Sequence, residues 1–249
     1  MSKLLKVLEK KTKSSSLPIG FGSSIDKGLR SSMVLIGLIS SQSDKNLKLA
    51  NQPGLDAVLL HVDKPESGLD KTVEALGGKP WGIRTGALSN EKASSLVKTG
   101  CDFFVHALEE THLDALYEGK SGYVLEVDVD ISEQDLRALD TLPVDAVCVS
   151  LANVVSPLSL RHLADVLSVR AMYEKFLLVE ISKDLSAKEM EILRDSGIDG
   201  LIVDITDSSE GSISSLQKKL HSLPRQKHQR RNGNSGTVSL SVRPSVDFN

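Results

Sequence analysis

A chain of 249 residues, 25% charged and 40% hydrophobic, is long enough to bury one or two cores without disulfides. No run nears the roughly 18 apolar residues of a membrane span, and the lysine-rich N-terminus lacks the apolar block of a secretory signal. The formal net charge of −3 conceals −11 over residues 17–224 and +4 at each end, an acidic body that argues against nucleic acid as partner.

Met1–Lys13 reads as a basic helix with Leu4, Leu5 and Leu8 on one apolar face. Leu17–Gly22 is either a lead-in strand or a loop. From there short apolar runs and helical segments alternate eight times. Met33–Ser40 is the first strand and Asp44–Asn51 the first helix after it. Ala57–Val62 precedes a helix near Leu69–Leu76, and Pro80–Thr85 precedes one near Asn90–Lys98. Phe103–Ala107 leads to a helix at Glu109–Tyr117, and Tyr123–Asp128 to one at Glu133–Leu139. Ala146–Ser150 precedes the long helix Leu158–Glu174. Phe176–Ile181 precedes Ala187–Asp195, where Ser186 and Glu189 make a capping box. Leu201–Ile205 precedes Ser212–Leu223, which stops at Pro224. Strands alternating with helices imply right-handed crossovers and a parallel sheet. Eight such units without a break favour a closed barrel over an open, doubly wound sheet.

The even strands share an entry: Gly54-Leu-Asp-Ala, Gly100-Cys-Asp-Phe, Pro143-Val-Asp-Ala and Gly197-Ile-Asp-Gly. A small residue ends each helix, and Asp56, Asp102, Asp145 or Asp199 ties the turn into the next strand. With these entries and the eight-unit rhythm, the chain resembles the aldolase-type (β/α)8 (TIM) barrel superfamily over roughly residues 18–223. The resemblance implies an α/β fold, one barrel over 17–224. A basic N-terminal helix within 1–16 caps its bottom, and a basic, flexible tail spans 225–249. Gln226–Gly236 reads as a linker, and the alternating Thr237–Val242 as a segment able to add to a partner's sheet edge.

In such a barrel the chemistry gathers at the strand C-termini. Taken in order, these carry Ser40 and Ser41; His61, Asp63 and Lys64; Arg84 and Thr85; His106; Glu126, Asp128 and Asp130; Ser150 and Asn153; Glu180, Ser182 and Lys183; and Asp204, Thr206 and Asp207. Glu126, Glu180 and Asp204 each stand between apolar neighbours, where a carboxylate is costly to bury unless paired. The candidate catalytic groups are Glu126, Asp128, Glu180, Asp204, His61 and His106, carboxylates and imidazoles suited to acid–base work. Arg84 offers a bidentate fork for a substrate carboxylate or phosphate, and Ser150, Ser182 and Lys183 are further substrate-binding candidates. Glu126, Glu180 and Asp204 could instead ligate Mg²⁺ or Mn²⁺, hard ions that prefer oxygen.

Other chemistries find less in the sequence. No lysine lies inside a strand; Lys64 and Lys183 come just after the second and seventh, and Lys183 is the better candidate for a Schiff base. The turns after strands seven and eight lack the early glycines of a phosphate cup. Cys101 and Cys148 sit in apolar runs and read as reduced core thiols of a cytoplasmic protein. Trp81 reads as core filling, and His112, His162 and His221 as surface residues on helices. No P-loop, dinucleotide fingerprint or zinc-cysteine cluster occurs. Two functions remain open. One is a lyase or isomerase acting on a small anionic metabolite by acid–base or metal-assisted chemistry. The other is a catalytically silent scaffold or subunit whose basic tail meets an acidic protein or another copy of the chain. Convergence of Glu126, Glu180 and Asp204 in one mouth favours the first, and their consumption by Arg or Lys the second.

Overall fold

The computed structural model describes residues 1–13, 33–62, 69–117, 121–206 and 208–224. Eight parallel strands close into one ring in sequence order, β1 pairing with β8 from Val34↔Gly200 to Leu38↔Asp204. They are β1 (Val34–Ile39), β2 (Ala57–His61), β3 (Trp81–Thr85), β4 (Phe103–Ala107), β5 (Gly122–Val127), β6 (Ala146–Leu151), β7 (Phe176–Ile181) and β8 (Gly200–Asp204). Around them run α2 (Asp44–Ala50), α3 (Leu69–Ala75), α4 (Asn90–Lys98), α5 (Glu133–Thr141), α6 (Leu160–Met172), α7 (Ala187–Asp195) and α8 (Glu210–His221). The fold is a single (β/α)8 barrel. Leu17–Gly22 and the tail with Thr237–Val242 lie outside the described residues.

Both faces of each strand are buried, which is why the strands read as unbroken apolar runs. Ile36, Leu38, Leu59, Val105, Val124, Cys148, Leu178 and Ile202 fill the interior. Leu35, Leu60, Ile83, Phe104, Leu125, Val149, Val179 and Val203 face the helices, with Trp81 buried among them. Serine N-caps fix the starts of α2, α4, α5, α6, α7 and α8.

The barrel bottom is closed by α1 (Lys3–Lys13), whose Leu4, Leu5 and Leu8 join the interior cluster. Its N-terminus is held by Asp102. Ser2 Oγ and the Lys3 and Leu4 N–H groups donate to that carboxylate at 2.7–2.8 Å, an N-cap supplied from another element. The other entry aspartates reach backwards. Asp56 accepts from Leu35 N and Lys11 Nζ, Asp145 from Tyr123 N and Asp199 from Leu177 N. They bind the preceding odd strand as well as shaping their own turn. Two glycines make room at this end. A Cβ on Gly82 would lie 2.5 Å from the Phe103 ring, and one on Gly122 3.2 Å from Ser2 Oγ.

One predicted element differs. Where a helix was expected over Glu109–Tyr117, only a 3-10 turn forms at Leu113–Tyr117. Its Ala115 carbonyl accepts from the buried Tyr123 hydroxyl, so the turn lies tight against the barrel.

Replacing Asp102 with Ala removes the cap of α1 and leaves three donors without their acceptor. The expected loss is about 1–3 kcal/mol of unfolding free energy, measured by urea denaturation, with a smaller loss for Asp102→Asn.

Candidate functional site

Strand alternation carries the inward row of apolar side chains upward into polar ones. Above Leu59 comes His61, above Cys148 Ser150, and above Ile202 Asp204, each exposed at the C-terminal mouth. On β3 the inward position is Arg84, and on β5 and β7 it is Glu126 and Glu180.

These last three meet. Arg84 Nη1 and Nη2 donate to Glu180 Oε1 and Oε2 at 3.2 and 2.7 Å, a fork-on-fork pair. Nη2 also lies 2.8 Å from Glu126 Oε1. The two carboxylates differ in depth, for the Glu180 side chain is 9% exposed and that of Glu126 34%. Burial works against the Arg84 charge. The Glu180 hydrogen bonds and both negative charges outweigh it, so its pKa stands above the ordinary arginine value. Arg84 Nε is buried and makes no hydrogen bond among the described residues. Beneath lies Cys148, whose thiol pKa is raised by complete burial, and which therefore stays protonated.

The remaining candidates fall around this triad. Asp128 stands one position past β5, exposed. Asp204 Oδ1 accepts from Thr206 N at 2.8 Å, and Thr206 Oγ1 accepts from Ser40 N, which ties the ends of β8 and β1. Ser150 is the register partner of Glu180. Ser150 Oγ and Ser182 Oγ accept from the N–H groups of Ala152 and Asp184. Lys183 is exposed beyond β7. Among the described residues no three His, Cys, Asp or Glu side chains form a metal-holding group. Asp63, Lys64 and Asp207 lie outside the described residues.

His106 does not join the mouth. The inward row of β4 is Phe103, Val105 and Ala107, so the alternation turns His106 towards the helix layer, where it is 1% exposed. Its Nδ1 lies 2.9 Å from Thr111 Oγ1, which itself donates to the Ala107 carbonyl. That hydroxyl has one hydrogen, so Nδ1 carries the imidazole proton and Nε2 is left buried without a partner among the described residues.

Sequence reasoning saw Glu189 only as a helix cap. It also binds the β6–α6 connection, accepting from Ser156 Oγ and Leu158 N as well as from Ser186 N and Oγ. Partial burial opposes its charge, but these hydrogen bonds hold its pKa down to about 2. The connection that borders Ser150 is thereby fastened to α7. Donors some thirty residues away leave no local signature.

No protein-family model and no curated protein matches the chain. Solved structures do. Two mutant tryptophan synthase alpha-subunits from the hyperthermophile Pyrococcus furiosus align with TM-scores of 0.59 and 0.60, at 13% and 12% identity. A structure of the tryptophan synthase α2β2 complex from the same organism aligns at 0.55 and 13%. Each match covers 77% of this chain and 97% of the other. At that identity the likeness speaks for the fold alone. Among the described residues no helix is long and apolar enough to cross a membrane.

Burial lowers the His106 pKa from 6.5 to about 4. The unfolded chain then binds a proton that the native state refuses, so stability falls as pH drops from about 6.5 to 4. His106→Asn keeps a donor for Thr111 and does not titrate. The stability advantage of the native chain over this variant is expected to shrink across that window in urea titrations, whereas a constant difference would contradict the assignment.

Proposed function

We propose that this aldolase-type (β/α)8 barrel is an enzyme of the lyase or isomerase kind, acting on a small acidic metabolite at its C-terminal mouth. Glu126 is the group that moves the proton. Arg84 engages both Glu126 and Glu180, while Asp204 accepts from Thr206 N, so the three carboxylates neither converge as one set nor are all consumed by basic side chains. The supporting observation is the asymmetry of the triad. Glu180 fixes Arg84 from the buried side with both oxygens, and Arg84 in turn orients Glu126 on the open side. A carboxylate so held, yet one-third exposed, can take a proton from a bound substrate and return it.

His61 supplies the second proton-handling group. It stands on the inward row of β2, in register with Arg84, and is exposed. Ser150 and Ser182 offer hydroxyls to orient the ligand, while Asp128 and Asp204 add negative charge around it. A version in which Glu126, Glu180 and Asp204 bind Mg²⁺ or Mn²⁺ has less support. The Arg84 guanidinium already stands between Glu126 and Glu180, where a bridging cation would sit.

Proton abstraction can be read without knowing the product. The full chain in heavy water is incubated with a set of small carboxylic acids, and proton NMR follows deuterium wash-in or conversion. At least one compound is expected to react, with the rate falling roughly 10²–10⁴-fold in Glu126→Gln. Equal rates in that variant, or no reaction across the set, would contradict the reading.

A further inference from the structure

The two carboxylates on Arg84 are not equivalent, and the difference bears on what the mouth binds. Glu180 uses both oxygens, lies on the buried side and is 9% exposed. Removing it would leave an arginine charge buried without its paired acceptor, a strongly destabilising change. Among the described residues Glu126 makes one ion pair, to Nη2, and it is one-third exposed. Turning it towards solvent costs less than it would for Glu180, because a third of its side chain is already exposed.

We propose that Glu126 holds the seat of a ligand carboxylate on Arg84, as an internal stand-in that the ligand displaces. The exchange swaps one carboxylate for another on the same nitrogen, so the charge facing Arg84 is unchanged. It also frees Glu126 from its ion pair beside the newly seated ligand, where it serves as the base. The ligand class is thus a small molecule with a carboxylate group. A phosphate fits less well. It brings up to a second negative charge towards Glu180, Asp128 and Asp204, and its tetrahedral group does not reproduce the planar group that Glu126 places there. This inference rests on the reading of the mouth as a small-molecule site. It gives Arg84 two tasks, to seat the ligand and to place Glu126 beside it on the open side of the mouth.

Removing the stand-in exposes the seat, and acetate is the smallest probe for it. Thermal unfolding of full-length Glu126→Ala is measured in rising sodium acetate, with sodium chloride at matched ionic strength as reference. The expected result is an acetate-specific, saturating rise of roughly 3–5 °C in the variant. The native chain, its seat filled, should show a smaller rise displaced to higher concentration. The double variant with Arg84→Met should show none, and inorganic phosphate should act more weakly than acetate. Glu126→Ser opens the same seat if the alanine variant does not fold. The proposal is overturned if acetate acts no differently from chloride on the opened variants, or equally on all chains. It is also overturned if phosphate outperforms acetate. Any of these would leave the acid–base reading standing on its own test, the comparison of rates between the native chain and Glu126→Gln.

Discussion

Closing eight parallel strands into a ring gives each strand one inward row, and that row must be filled from bottom to top. At the bottom it is filled by Phe103, with Gly82 and Gly122 yielding space on the neighbouring strands, and by the leucines of α1. In the middle it is aliphatic, with Cys148 among the small fillers. At the top the same alternation leaves no choice about which side chains face the axis. Arg84, Glu126 and Glu180 are there because each stands two residues, or a multiple of two, beyond an interior position. The site is the continuation of the core.

That placement forces an electrostatic solution. A guanidinium surrounded by barrel wall is expensive unless its charge is matched and its donors are used. Glu180 matches it from within, and Glu126 adds a second negative charge from the rim. The pair Arg84–Glu180 is neutral and doubly hydrogen-bonded. Glu126 is therefore the carboxylate of the three-membered group left with charge to offer a ligand or a proton.

Much of the architecture was legible because its signals are local. Strands β4 and β7 and helices α4 and α7 begin and end where apolar runs and serine caps place them. The 3-10 turn at Leu113–Tyr117 was not legible, since its form depends on the Tyr123 hydroxyl reaching Ala115 from the next strand. His106 shows a deeper reason for failure. In Phe103-Phe-Val-His-Ala107 both faces are apolar, so the pattern carries no alternation to say which row the histidine joins. Only the register with β3 and β5 decides it. The convergence of Arg84, Glu126 and Glu180 is likewise a product of ring closure, as β3 and β7 are far apart in sequence and meet across the barrel.

The dependence of the mouth on one shared charge can be measured by a double-mutant cycle. Arg84→Met, Glu180→Gln and the combined variant are unfolded in urea beside the native chain, at a pH where both groups are ionised. The account predicts a coupling energy of about 2–3 kcal/mol, with the double variant more stable than the sum of single losses implies. Losses that add to within about 0.5 kcal/mol would contradict it, for Arg84 and Glu180 would then not depend on each other.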